Sequence, residues 1–171
     1  GCFILLKKID PNNSILLHFV WLILILLISL SFCLTIMIGI ANNTLMLALL
    51  ILIFITAITG VMGYKYGDLL LPINFDKYLY IILFTLVFIH ISSRFLTTNP
   101  KILNKILYVI ASFSLIIFIL LMLSYNNEIR QHANKCNIDN NIPNYPNEAM
   151  GLVIKMINIL QNLVILLKKR K

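Results

Sequence analysis

The chain has 171 residues, of which 60% are hydrophobic and 12% charged, with a net charge of +8 and a mean hydropathy of +0.95. Ordinary soluble domains carry about 25% charged residues, so this chain lacks the polar groups needed to coat a water-facing surface. A soluble globular enzyme, a disordered tail and, with three cysteines, a disulfide-stapled secreted domain are excluded.

The composition predicts an all-α, polytopic integral membrane protein. A basic N-terminal segment, residues 1–13, carries Lys7 and Lys8 and ends in a turn, Asp10-Pro11-Asn12-Asn13, with Ser14 as helix N-cap. The first span runs from Ser14 to Ala41 without a charged residue. That exceeds the ~20 residues needed to cross a bilayer core, so the span tilts or starts among the headgroups. Ala41-Asn42-Asn43-Thr44 is a tight turn, because Asn tolerates the left-handed region. The second span then runs from Thr44 to Tyr64. One continuous helix through both would be far longer than any bilayer is thick. Lys65 to Lys77 is a loop. The third span runs from Tyr78 to about Ser92, or to Leu96 if Arg94 snorkels to the headgroups. Thr97 to Lys101 is the second loop, and the fourth span runs from Ile106 to Tyr125, completing a four-helix transmembrane domain over 14–125.

Residues 126–147 are Asn-rich, contain Pro143 and Pro146, and read as an extended polar connector. Residues 148–171 are apolar again but striped. Glu148, Gly151, Lys155, Asn158 and Asn162 recur every three or four positions and share a helix face. The stripe predicts an amphipathic, interfacial C-terminal helix with a basic end. A fifth span is the competing reading, with Lys155 facing other helices. A lipid-facing Lys near midspan costs about 2.5–3.5 kcal/mol.

With four spans, Lys7, Lys8, Lys65, Lys77, Arg130 and Lys135 fall on the side of the termini, against Arg94, Lys101 and Lys105 opposite. That excess places both termini on the cytoplasmic or equivalent side. Trp21, Tyr64, Tyr78, Tyr80 and Tyr125 stand at span ends as interface anchors. Lys168, Lys169, Arg170 and Lys171 anchor the last helix on anionic lipid. The same four residues resemble a dilysine retrieval signal. No stacking aromatics interleave with them, so nucleic acid is not an expected partner. Gly1-Cys2 resembles a lipidated N-terminus, but Leu5 stands where Ser or Thr belongs. No cleavable signal peptide is expected.

Membrane chemistry needs ionisable groups within the bundle. The four predicted spans hold His18, Cys33 and His90 and no Asp, Glu or Lys. No CxxC, HExxH or Walker motif is present. The spans as drawn contain no GxxxG, although Gly60 and Gly63 form a small-residue notch suited to close packing. His18 and His90 differ in depth by roughly 12 Å at 1.5 Å per residue, so one haem cannot bind both. His90 and Arg94, four apart with Ser92 and Ser93 between, form the candidate polar site, able to hold a lipid phosphate or a partner carboxylate. No catalytic residue, metal ligand or cofactor is expected, and the chain is not read as an enzyme.

His18-Phe19, Thr59-Gly60, Gly63-Tyr64 and Gly67-Asp68-Leu69-Leu70 resemble an uncharacterised bacterial four-helix membrane domain sometimes found with cytochromes. That family usually carries further His residues where this chain has Asn74, Asp76 or Lys77, so no function carries over. The expected function is a non-catalytic subunit or membrane organiser of a larger assembly, with lipid and other membrane subunits as partners. The alternative is a small channel, transporter or haem/redox anchor using His90 and Arg94.

Overall fold

The computed structural model describes residues 14–70, 75–139 and 145–168. The expectations for Gly1-Cys2, the Asp10–Asn13 turn and Lys169, Arg170 and Lys171 lie outside these residues. The chain forms five helices, α1 (Ser14–Ala41), α2 (Leu45–Leu70), α3 (Phe75–Leu96), α4 (Pro100–Asp139) and α5 (Tyr145–Leu167). All five are long and apolar enough to cross a membrane by length and composition. The architecture is that of a multi-pass membrane protein, with no strand among the described residues.

The local signals explain the breaks. Asn43 adopts a φ of 53°, the left-handed geometry that turns α1 into α2. The orphan carbonyls of α1 are capped: Gly39 O accepts from Thr44 N at 2.9 Å, and Ile38 O accepts from Asn42 Nδ2 at 2.7 Å. Between α3 and α4, Asn99 Oδ1 accepts from Lys101 N at 3.0 Å and Pro100 takes the first helical position. There its fixed φ and missing N–H carry no penalty.

Two helices run differently from the sequence reading. Residues 126–139 are not an extended connector; they continue α4 as helix to Asp139. Asn is a mediocre helix former but not a breaker, and the first proline after Pro100 is Pro143. Side chains four apart also interact there, as His132 Nε2 and Glu128 Oε1 do at 3.9 Å. A helix of 40 residues is about 60 Å long, roughly twice a bilayer core. Likewise α2 continues past Tyr64 to Leu70.

The centre of the bundle is α2, α4 and α5. One core cluster joins Ala48 and Leu52 of α2, Met122 of α4, and Ile159, Leu160, Leu163 and Val164 of α5. α5 runs antiparallel along the apolar length of α4. Near one end the Tyr108 hydroxyl donates to Leu166 O at 2.7 Å, and near the other the Tyr125 hydroxyl donates to Glu148 O at 3.3 Å. α1 leans on α5 through Leu24, Trp21 and Met150. α3 packs mainly along α4, through Leu79, Leu83 and Leu86 against Ile117 and Leu121. Long apolar side chains on the outer faces of α1, α2 and α3, among them Leu30, Phe54 and Phe84, stay exposed, as lipid contact requires.

Candidate functional site

Side-chain-to-side-chain hydrogen bonds between helices gather at one end of the bundle, where the last turns of α2, the arm of α4 beyond Tyr125 and the start of α5 meet. Close approach comes first. Gly63 and Gly67 form a GxxxG face on α2. A Cβ on Gly63 would stand 2.6 Å from Leu123 O, and one on Gly67 would overlap the Asn127 side chain. Gly60, one turn earlier, has nothing within 4 Å. The notch expected at Gly60 and Gly63 is therefore used through Gly63 and Gly67. Ending the second span at Tyr64 cut this motif in half.

That approach brings Asp68 against α4. Its carboxylate accepts from Asn127 Nδ2 at 3.1 Å, from Gln131 Nε2 at 2.8 Å and from Arg130 Nη2 in an ion pair. Arg130 also donates through Nη1 to Tyr64 O at 2.9 Å and through Nη2 to Asn127 Oδ1 at 3.0 Å. An acceptor surrounded by donors is stabilised as the anion and is a poor proton acceptor for a substrate. The group is a clamp between α2 and α4.

A second polar contact ties α4 to α5. His132 Nδ1 and Glu148 Oε1 lie 2.8 Å apart, while Glu148 Oε2 is buried without a hydrogen bond. Below it lies Lys155, 8% exposed, with Nζ 3.6 Å from the centroid of the Tyr125 ring and 3.4 Å from Gly151 O. Gly151 makes this possible, because any Cβ there would overlap the Tyr125 ring. A desolvated ammonium over an aromatic face gains about 2 kcal/mol, which offsets part of the cost of removing it from water. Lys155 bends toward the polar end inside the protein, as a snorkelling lysine does toward headgroups.

The residues singled out from sequence are placed as follows. His90 is partly buried on α3, its Nδ1 without a hydrogen bond, and Arg94 is exposed. Ser93 Oγ donates to His90 O at 2.8 Å. No side chain of another helix hydrogen-bonds either residue among those described, so the structure does not join them into a site. His18 is exposed near the start of α1. Tyr64, Tyr78 and Tyr80 are exposed and Lys168 is exposed at the other end. Trp21 and Tyr125 face protein instead: Trp21 packs beside Met150 with its Nε1 buried, and Tyr125 covers Lys155.

Sequence reasoning missed Asp68, Asn127, Arg130 and the Tyr125–Lys155 pair. For Lys155 a signal existed, a lone cation beside Gly151 on an otherwise apolar helix. For the Asp68 clamp the signal was the interrupted GxxxG. Among the described residues no group of three His, Cys, Asp or Glu side chains is placed to hold a metal ion. Compared with known proteins, the chain matches no family model, no curated protein and no solved structure, so the site is read from its own geometry.

Proposed function

We propose that this chain is a five-span, non-catalytic membrane subunit or organiser of a larger assembly. The observation that carries this reading is the apolar seal between α2, α4 and α5. Ala48, Leu52, Met122, Ile159, Leu160, Leu163 and Val164 close the centre of the bundle. A conducting or carrying protein lines its centre with polar groups; here the seal holds no polar side chain, and Asp68, Arg130, His132 and Glu148 clamp helices together at one end.

The count of five spans rests on α5. Its antiparallel run along α4 and the burial of Lys155 meet the condition under which a fifth span is tolerable. In this reading the termini lie on opposite sides. Lys7, Lys8, Lys65, Lys77, Arg130 and Lys135 then oppose Arg94, Lys101, Lys105, Lys168, Lys169, Arg170 and Lys171, six against seven. The charge rule no longer orients the protein. The alternative of a channel, transporter or haem anchor built on His90 and Arg94 draws no support from α3, whose packing is mainly on α4.

The test is extraction of native membranes in mild detergent, followed by a native gel and mass spectrometry of the band that holds this chain. Migration in a large assembly of fixed composition is the expected result. Migration free of other proteins overturns the proposal. Tags at the two ends, probed in sealed vesicles, count the spans separately: opposite accessibility is expected, and same-side accessibility excludes five.

A further inference from the structure

An open groove of about 250 Å³ runs between α1 and α5, lined by Leu27, Ile28, Ile154, Ile157, Asn158 and Gln161. Its depth is unusual for its chemistry. Asn158 and Gln161 stand near the middle of α5, and Leu27 and Ile28 near the middle of α1. If α5 spans, as proposed above, two carboxamides sit close to the bilayer midplane. Asn158 satisfies its amino group on its own helix, donating from Nδ2 to Ile154 O at 2.7 Å, and Asn162 does the same to Asn158 O at 2.8 Å. Gln161, one turn beyond Ile157 on the groove side, makes no such bond. Lipid tails offer a carboxamide no partner, and Gln side chains in membranes are satisfied by hydrogen bonds across helices.

We infer that the α1–α5 groove is the contact between two copies of this chain, with the Gln161 carboxamides paired across a two-fold axis. A carboxamide presents both a donor and an acceptor, so it is complementary to itself when the same patch meets its own copy, as an isologous interface requires. The rim of Leu27, Ile28, Ile154 and Ile157 is apolar, and none of the groove's lining residues is charged. The one cation of the neighbouring turns, Lys155, is turned inward under Tyr125, so two identical faces meet without like-charge repulsion. Within the proposed assembly this contact makes the chain present in pairs.

The experiment uses the full chain in its native membranes, with Cys2, Cys33 and Cys136 replaced by Ser and with Ile157→Cys as the reporter. Mild oxidation is expected to give a covalent dimer of this chain. Phe84→Cys, on the exposed face of α3, serves as the control for random collision and is expected to give little. Adding Gln161→Leu to the reporter is expected to lower the cross-linked fraction about tenfold, the effect of losing one good interhelical hydrogen bond in a membrane. Adding Gln161→Asn is expected to retain it. Equal yields from Ile157→Cys and Phe84→Cys, cross-linking only to other proteins, or no change with Gln161→Leu would overturn the pairing. Reaction of the Ile157→Cys thiol with a membrane-impermeant maleimide in sealed vesicles would instead overturn the five-span reading on which it rests. Failure of the larger assembly is read independently, from the native gel.

Discussion

α3 and α5 are helices of nearly equal length, 22 and 23 residues, and both are apolar enough to cross a bilayer. They occupy opposite kinds of position. α3 rests mainly on α4 and shows Phe84, Phe88 and Phe95 to the outside, whereas α5 lies between α1, α2 and α4 and buries Met150, Gly151, Lys155, Ile159 and Val164. Of two helices equally apolar overall, the one with a charged residue in its middle, Lys155, is thus the more central. In water a polar face turns outward; in lipid it turns inward, because only protein can supply its partners. The stripe that looks amphipathic on α5 marks, at Gly151 and Lys155, the face that packs.

The sharpest way to break this comparison is at Lys155. Lys155→Glu replaces a cation over the Tyr125 ring with an anion against its negative face, and is expected to abolish recovery of folded, monodisperse protein in detergent chromatography. Lys155→Met keeps the volume and removes the charge. It is expected to fold within about 1 kcal/mol of the parent, since buried ions exchange for apolar groups at little loss. Equal damage from both would show that the charge has a role beyond packing. Next in size are the close approaches. Gly151→Leu drives a side chain into Tyr125 and is expected to lower stability by about 3 kcal/mol, at the upper end for overpacking, read as the midpoint of thermal unfolding in detergent. Gly67→Ala meets Asn127 and is expected to cost about 1–3 kcal/mol. Gly60→Ala, on the same helix in open space, is expected to stabilise by up to about 1 kcal/mol through helix propensity. Opposite signs at Gly67 and Gly60 would confirm which glycine face carries the packing. The smallest effects belong to α3. His90→Ala and Arg94→Ala are each expected to change the unfolding midpoint by less than the equivalent of about 0.5 kcal/mol, while leaving the mobility of the native-gel band to report whether α3 touches a partner.

Much of the helical frame was legible from the sequence because its signals are local. Uncharged runs long enough to cross a bilayer core mark α1 and most of α2, and Asn42-Asn43 at their junction gives the turn, with Asn43 in the left-handed conformation as expected. The start of α4 was less plain: Pro100 opens it inside the expected Thr97–Lys101 loop, six residues before Ile106. What the sequence obscured depends on distance. Composition over 126–147 is that of a loop, yet its helical part is held by side chains of α2 and α5: Asn127, Arg130 and Gln131 reach Asp68, and His132 reaches Glu148. Lys155 is unfavourable as a midspan residue until Tyr125, thirty positions earlier, is placed over it. A polar residue in an apolar run says that a partner exists without saying which, and His90 gives the same signal with no hydrogen bond to its Nδ1 among the described residues.

The central place of α5 also bears on how the protein is made. Chains emerge from synthesis N-terminus first, and α5 follows the other four helices in chain order. Until it arrives, Ala48, Leu52 and Met122 lack Ile159, Leu160, Leu163 and Val164, and the ring of Tyr125 lacks Lys155. The Gly63–Gly67 approach to α4 and the Asp68–Arg130 clamp involve no residue of α5, so α2 and α4 can join before it. Closure of the α2–α4–α5 centre waits on the segment that carries Lys155. The clamp at one end of the bundle is thus independent of the helix that closes its centre, and the two are separable steps of folding.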